Sequence, residues 1–105
     1  MIPGGKKIQN AGSFEIFLIT DYQDQDIRNF ALADALVLDW QQPDHAKALL
    51  KEIRSSFIES IYLLPVFIFN ADGIVGDTER ALSDGELSVM QEEPIVKVIR
   101  QVKNK

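Results

Sequence analysis

Cysteine is absent from the 105 residues. That excludes disulfides, thiolate metal sites and dithiol redox chemistry. Histidine occurs once, at His45, near an expected helix start and with no catalytic partner evident in the sequence, so a surface role is expected for it and a two-histidine metal site cannot be assembled. Positive charge is scarce. Eleven Lys and Arg stand against 16 Asp and Glu, giving a net charge of −5 and a pI near 4.7. A surface built to neutralise phosphates would have the opposite sign, which argues against nucleic-acid binding and against docking on anionic membranes. No apolar run approaches the roughly 18 residues of a membrane span. The N-terminal Met1-Ile-Pro-Gly-Gly-Lys-Lys7 lacks the apolar core of a secretory signal, so a cytoplasmic location is expected. There is no internal repeat, and Gly73 and Gly76 form neither standard phosphate loop.

What the chain does contain is one domain's worth of apolar residues, 46% of the total. The stretch Ala35-Leu-Val-Leu38 is apolar and unbroken, the signature of a strand buried on both faces of a parallel sheet. It ends in Asp39. In open α/β sheets ligands and chemistry gather at the carboxyl ends of strands, which makes Asp39 the first candidate for a functional edge.

Around it the pattern alternates. Residues 1–12 read as a tail, with a helical turn expected near Lys6 to Asn10. Phe14 to Thr20 is rich in β-formers and reads as the first strand. The acidic loop Asp21-Tyr-Gln-Asp-Gln-Asp26 follows, and Asp24 or Asp26 is suited to cap a short helix through Ile27 and Phe30. Beyond Asp39, the spacing of Ala46, Leu49, Leu50, Ile53, Phe57, Ile58 and Ile61 predicts one amphipathic helix begun by Pro43 and Asp44. Lys47, Lys51, Glu52, Arg54 and Glu59 lie off its apolar stripe and are expected to face water. Leu64 to Phe69 reads as the third strand, and Asn70-Ala-Asp-Gly73 as a turn. A short helix is expected over Thr78 to Ser83, capped by Asp77 or Thr78 and ended by Gly85. Leu87 to Met90 is a candidate strand. Glu92-Glu93-Pro94 opens a terminal helix whose apolar residues are Ile95, Val98, Ile99 and Val102. The alternation predicts an α/β fold, a mainly parallel open sheet of about four strands flanked by helices.

Leu36-Val-Leu-Asp-Trp40, Leu64-Pro-Val-Phe-Ile-Phe69 and their distances to Pro94 resemble landmarks of the receiver (CheY-like, flavodoxin-like) domain of bacterial signalling proteins. The resemblance spans roughly residues 8 to 103. It implies that Asp39 occupies the phospho-acceptor position. In one alignment Asn10 to Ile16 resembles the end of the first receiver helix running into the second strand. In the other, Phe14 to Thr20 is the first strand, Asp21 or Asp24 supplies acid, and one βα unit is missing. A working receiver also needs a Ser or Thr after its fourth strand and a Lys-Pro before its last helix. Asn70 and Glu93-Pro94 stand at those positions. A second resemblance, carried by Leu38-Asp-Trp40, Leu49 to Arg54, Leu64 to Phe67 and Glu92-Glu93, is to the N-terminal wing domain of bacterial ornithine/lysine/arginine decarboxylases. It implies a role in oligomer assembly, with the pyridoxal-phosphate site in another domain. A thioredoxin-like reading of Leu64-Pro65 with Asp72-Gly73 would have no redox function here.

The expectation is therefore a non-catalytic, receiver-like regulatory or protein-interaction domain, acting on a protein partner or on itself, and not an independent enzyme. No cofactor is required. Mg²⁺, held by Asp21, Asp24 and Asp39, belongs to the less favoured alternative of a phospho-accepting receiver, because hard oxygen ligands suit that ion. The bland reading of the same acids is a solvated loop, with Asp39 bonded to neighbouring backbone amides. Trp40 is the candidate interface anchor, or equally a ring that only packs beside the strand edge, and the face bearing the last helix is the candidate docking face.

Overall fold

The computed structural model describes residues 2, 4–8, 14–70 and 75–103. It is an α/β fold with a five-stranded sheet in the order β1-β2-β3-β4-β5. The strands are β1 (Gly5–Lys7), β2 (Ile16–Ile19), β3 (Ala35–Asp39), β4 (Val66–Phe69) and β5 (Gly85–Leu87). β2 to β5 are parallel, and β1 runs antiparallel along the outer edge of β2. The helices are α1 (Pro43–Arg54), α2 (Glu59–Tyr62), α3 (Asp77–Leu82) and α4 (Glu92–Lys103), with a 3₁₀ segment over Ile27–Leu32.

The β3 expectation holds. Ala35, Leu36, Val37 and Leu38 are fully buried, their side chains alternating between two cores. Leu36 and Leu38 face the larger core, which also holds Phe30, Leu50, Ile53 and Ile61. Ala35 and Val37 face the smaller one, where Ile95 and Ile99 of α4 close the layer. Each crossover between successive parallel strands places apolar residues in the larger core: Phe30 before β3, α1 and α2 before β4, Leu82 before β5. A sheet that grows steadily in one direction with right-handed connections must put every crossover on one side. Only α4 returns to cover the other.

Several boundaries differ from the sequence reading. There are five strands rather than about four, because Gly5–Lys7 pairs with β2 in the region read as a tail. Ile2 is buried in the larger core and anchors that strand. Gly4 turns the chain with φ of 67°, and a Cβ there would run into the backbone oxygen of Asp21. The expected helical turn begins instead as β1 at Lys6, and its remainder at 9–10 lies outside the described residues, as does most of the 70–73 turn.

The long amphipathic helix is broken. α1 stops at Arg54, and Ser56 Oγ accepts from the N–H of Ile58, which starts a new turn. Hydroxyl side chains compete with the helical ladder in this way. Phe57 and Ile58 are consequently exposed, while Ile61 still reaches the core. The cap of α3 is Gly76, and Gly85 opens β5 instead of the strand starting at Leu87. Asp26 caps the 3₁₀ segment as expected, accepting from the N–H of Arg28.

Candidate functional site

The parallel strands deliver Asp21, Asp39, Asn70 and Ser88 to the same end of the sheet, each just after or at the last residue of its strand. Asp39 pairs in register with Phe69, and the N–H of Trp40 donates to the Phe69 carbonyl at 2.8 Å. The Asp39 side chain is half-buried, and its Oδ1 accepts from the N–H of Gln41 at 3.1 Å. This is a carboxylate folded onto its own backbone two residues ahead, the Asx-turn geometry. Among the described residues Asp39 enters no ion pair.

Tyr22 completes this rim. Its hydroxyl donates to the Asp39 carbonyl at 2.6 Å and lies 3.3 Å from the carbonyl of Ile19, tying the ends of β2 and β3 together. Burial, reinforced by the Asp39 charge, pushes the phenol far above its usual value, so it remains a donor. Asn70, with φ of 64°, sits in the left-handed region that Asn tolerates at turns, and its N–H reaches the Leu87 carbonyl at 3.4 Å.

The acidic loop is organised around its own backbone. Asp21 Oδ1 accepts from the Gln23 N–H at 3.0 Å, and Asp24 is exposed with φ of 56°. Asp26 is engaged by Arg28, whose guanidinium and backbone N–H hold the carboxyl down at a pKa of about 2. Among the described residues no three Asp, Glu or His side chains converge as a cation site, so Asp21, Asp24 and Asp39 are not brought together as ligands.

Trp40 is a correction. It is only 4% exposed, packed in the larger core with Leu38 and Ala46 rather than offered as an anchor. The indole belongs to the first residue after β3, where the chain turns back under α1 and carries the ring with it. Arg54 is the second correction. Its side chain is 16% exposed, and its guanidinium donates to the carbonyls of Tyr62, Leu64 and Leu82 and to Asp84 Oδ2, at 2.7 to 3.0 Å. Asp84 Oδ2 also accepts from the Val66 N–H at 2.7 Å. This network clamps the amino ends of β4 and β5, opposite the Asp39 rim.

At that same amino end, Asp34 accepts from the Glu15 N–H and pairs with Lys103 at 2.8 Å. An open groove of about 420 Å³ lies beside it, lined by Ala31, Leu63, Pro65 and Val102 among others. Two further depressions, about 500 and 560 Å³, follow β5 and α4. None of the three is lined by Asp21, Asp24 or Asp39. Tyr22, Arg54 and Asp84 escaped the sequence reading. Most of their partners are backbone groups distant in sequence, and the weak available signal was an arginine in the last turn of α1.

No protein-family model matches the chain, and neither the curated proteins nor the solved structures contain a match.

Proposed function

We propose that this chain is a non-catalytic, receiver-like regulatory domain that acts through protein contacts and takes up no phosphoryl group. The flavodoxin-like order is 2-1-3-4-5. The observed sheet follows it if β2 is taken as the first strand and the antiparallel β1 fills the outer position. That supports the alignment in which Phe14 to Thr20 is the first strand and one βα unit is missing. Asp39 then stands at the acceptor position, at the carboxyl end of the central strand.

The observation that carries the reading is the state of that carboxylate. It is bonded to its own backbone and has no cationic partner among the described residues. Phosphoryl transfer depends on positioning and on positive charge to stabilise the transferring group. Where the resemblance calls for a lysine, the chain has Glu93, and where it calls for a hydroxyl, Asn70. Incubation with acetyl phosphate and Mg²⁺, followed by intact mass measurement, is expected to leave the mass unchanged. A phosphoryl adduct that disappears in Asp39→Asn would refute the proposal.

A wing-like role in assembly is the second reading. It is favoured by the exposed apolar side chains of the 3₁₀ segment, α2 and the turn before α2.

A further inference from the structure

Five large apolar side chains stand in water at the amino end of the sheet. Phe57 is wholly exposed, Leu32 is 88% exposed, and Ile58, Tyr62 and Leu63 are each near half. Four of them fall within the stretch from Phe57 to Leu63, and Leu32 ends the 3₁₀ segment that packs against α2. Together they expose roughly 600 Å², the upper bound of what a monomer ordinarily shows, against about 800 Å² per partner in a standard interface.

The same face holds a projection and a recess. Phe57 projects just before α2, and Glu59, Ser60 and Leu63 on the flank of α2 line the 420 Å³ groove, whose far wall is Ala31, Pro65 and Val102. The groove is also lined by Glu59 and by Asp34 and Lys103, which pair with each other at 2.8 Å. A two-fold interface requires one patch to complement itself, each element meeting its counterpart's partner. Apolar, aromatic-rich patches are also what homodimer cores are made of.

We propose that two copies of this chain associate through this end of the sheet, the Phe57 ring of each entering the groove of the other. The proposal rests on the protein-contact reading above and names the partner as a second copy. The clamp of Arg54 on Tyr62, Leu64 and Leu82 lies directly behind the patch and gives it a rigid backing.

Sedimentation of the full chain over a range of concentrations tests this. A monomer–dimer equilibrium is expected, weakened at least about 30-fold by Phe57→Ser, since buried aromatic anchors carry most of an interface's affinity. Phe57 touches little within its own chain, so the unfolding midpoint of the variant should not move. Because the natural chain has no cysteine, mixing Phe57→Cys with Ala31→Cys should give a disulfide-linked heterodimer. A monomer at every concentration, a dimer indifferent to Phe57→Ser, or assemblies that grow past the dimer would each overturn it. None of these outcomes produces or removes a phosphoryl adduct, so this proposal and the one on Asp39 fail separately.

Discussion

Arg54→Ala should be among the most damaging changes to a charged residue in this protein. The guanidinium makes four contacts at once, and two of its acceptors, the carbonyls of Leu64 and Leu82, are in partly buried bonds. Each bond from a charged donor to such a carbonyl contributes about 1.5 kcal/mol or more, and an abandoned buried acceptor carries a similar penalty. The contacts to Tyr62 and Asp84 are more exposed and add a few tenths each. The expected loss is about 3 kcal/mol, nearly all of it from the two partly buried bonds. For a domain of this size that lowers the melting temperature by roughly 12 to 20 °C. Trp40, the sole tryptophan and buried in the larger core, reports the transition in urea by its fluorescence. Arg54→Lys keeps the charge but has no planar fork, and should restore no more than about half of the loss. Arg28→Ala is the control, because its pair with Asp26 is exposed and screened by solvent and so contributes little. If Arg54→Ala costs less than about 1 kcal/mol, or no more than the control, the clamp does not hold the amino ends of β4 and β5.

Other expectations follow from the same contacts. Tyr22→Phe removes the bond between the ends of β2 and β3 and should cost about 1 to 2 kcal/mol in urea unfolding. The Tyr22 pKa is raised on folding, so the stability it confers is complete below about pH 10 and is lost as pH rises through the folded value; stability unchanged on the alkaline side would refute this. Asp26 is depressed to about 2, so its contribution is complete above about pH 4 and disappears as pH falls towards 2. Carboxyl-carbon NMR should place its midpoint near 2, and a midpoint near 4 would contradict the Arg28 contact. Phe30→Ala should cost about 3 to 5 kcal/mol, because the ring fills the larger core where β2 crosses to β3, and a loss near 1 would mean that the site collapses freely.

What the sequence made legible was governed by local pattern. Ala35 to Leu38 announced a doubly buried strand because no polar residue interrupts it, and Ile95 with Ile99 announced the inner face of α4. The α1 boundary was not legible in the same way. Phe57 and Ile58 continue the three-and-four spacing past Ser55-Ser56, and only the hydroxyl bond to the Ile58 N–H shows that the ladder has ended. β1 has two lysines and a glycine and no strand-forming side chain. It exists because the edge of β2 offers it partners and Ile2 finds the core. For Trp40 the sequence left two readings open, because indole suits an interface as well as a core; the ring is buried in the larger core. At the candidate site, Asp39 could be picked out from its place at the end of β3. The tether from Tyr22 could not, since it joins side chain to backbone 17 residues apart.

The central claim concerns the Asp39 carboxylate, and the amide signals of Asp39 and Gln41 observe it directly. Titrating Mg²⁺ with beryllofluoride, a mimic of the phosphoryl group, should leave both signals in place, because the carboxylate is bonded to Gln41 and, among the described residues, has no cationic partner. A saturable shift of those two amides, abolished in Asp39→Asn, would contradict the account.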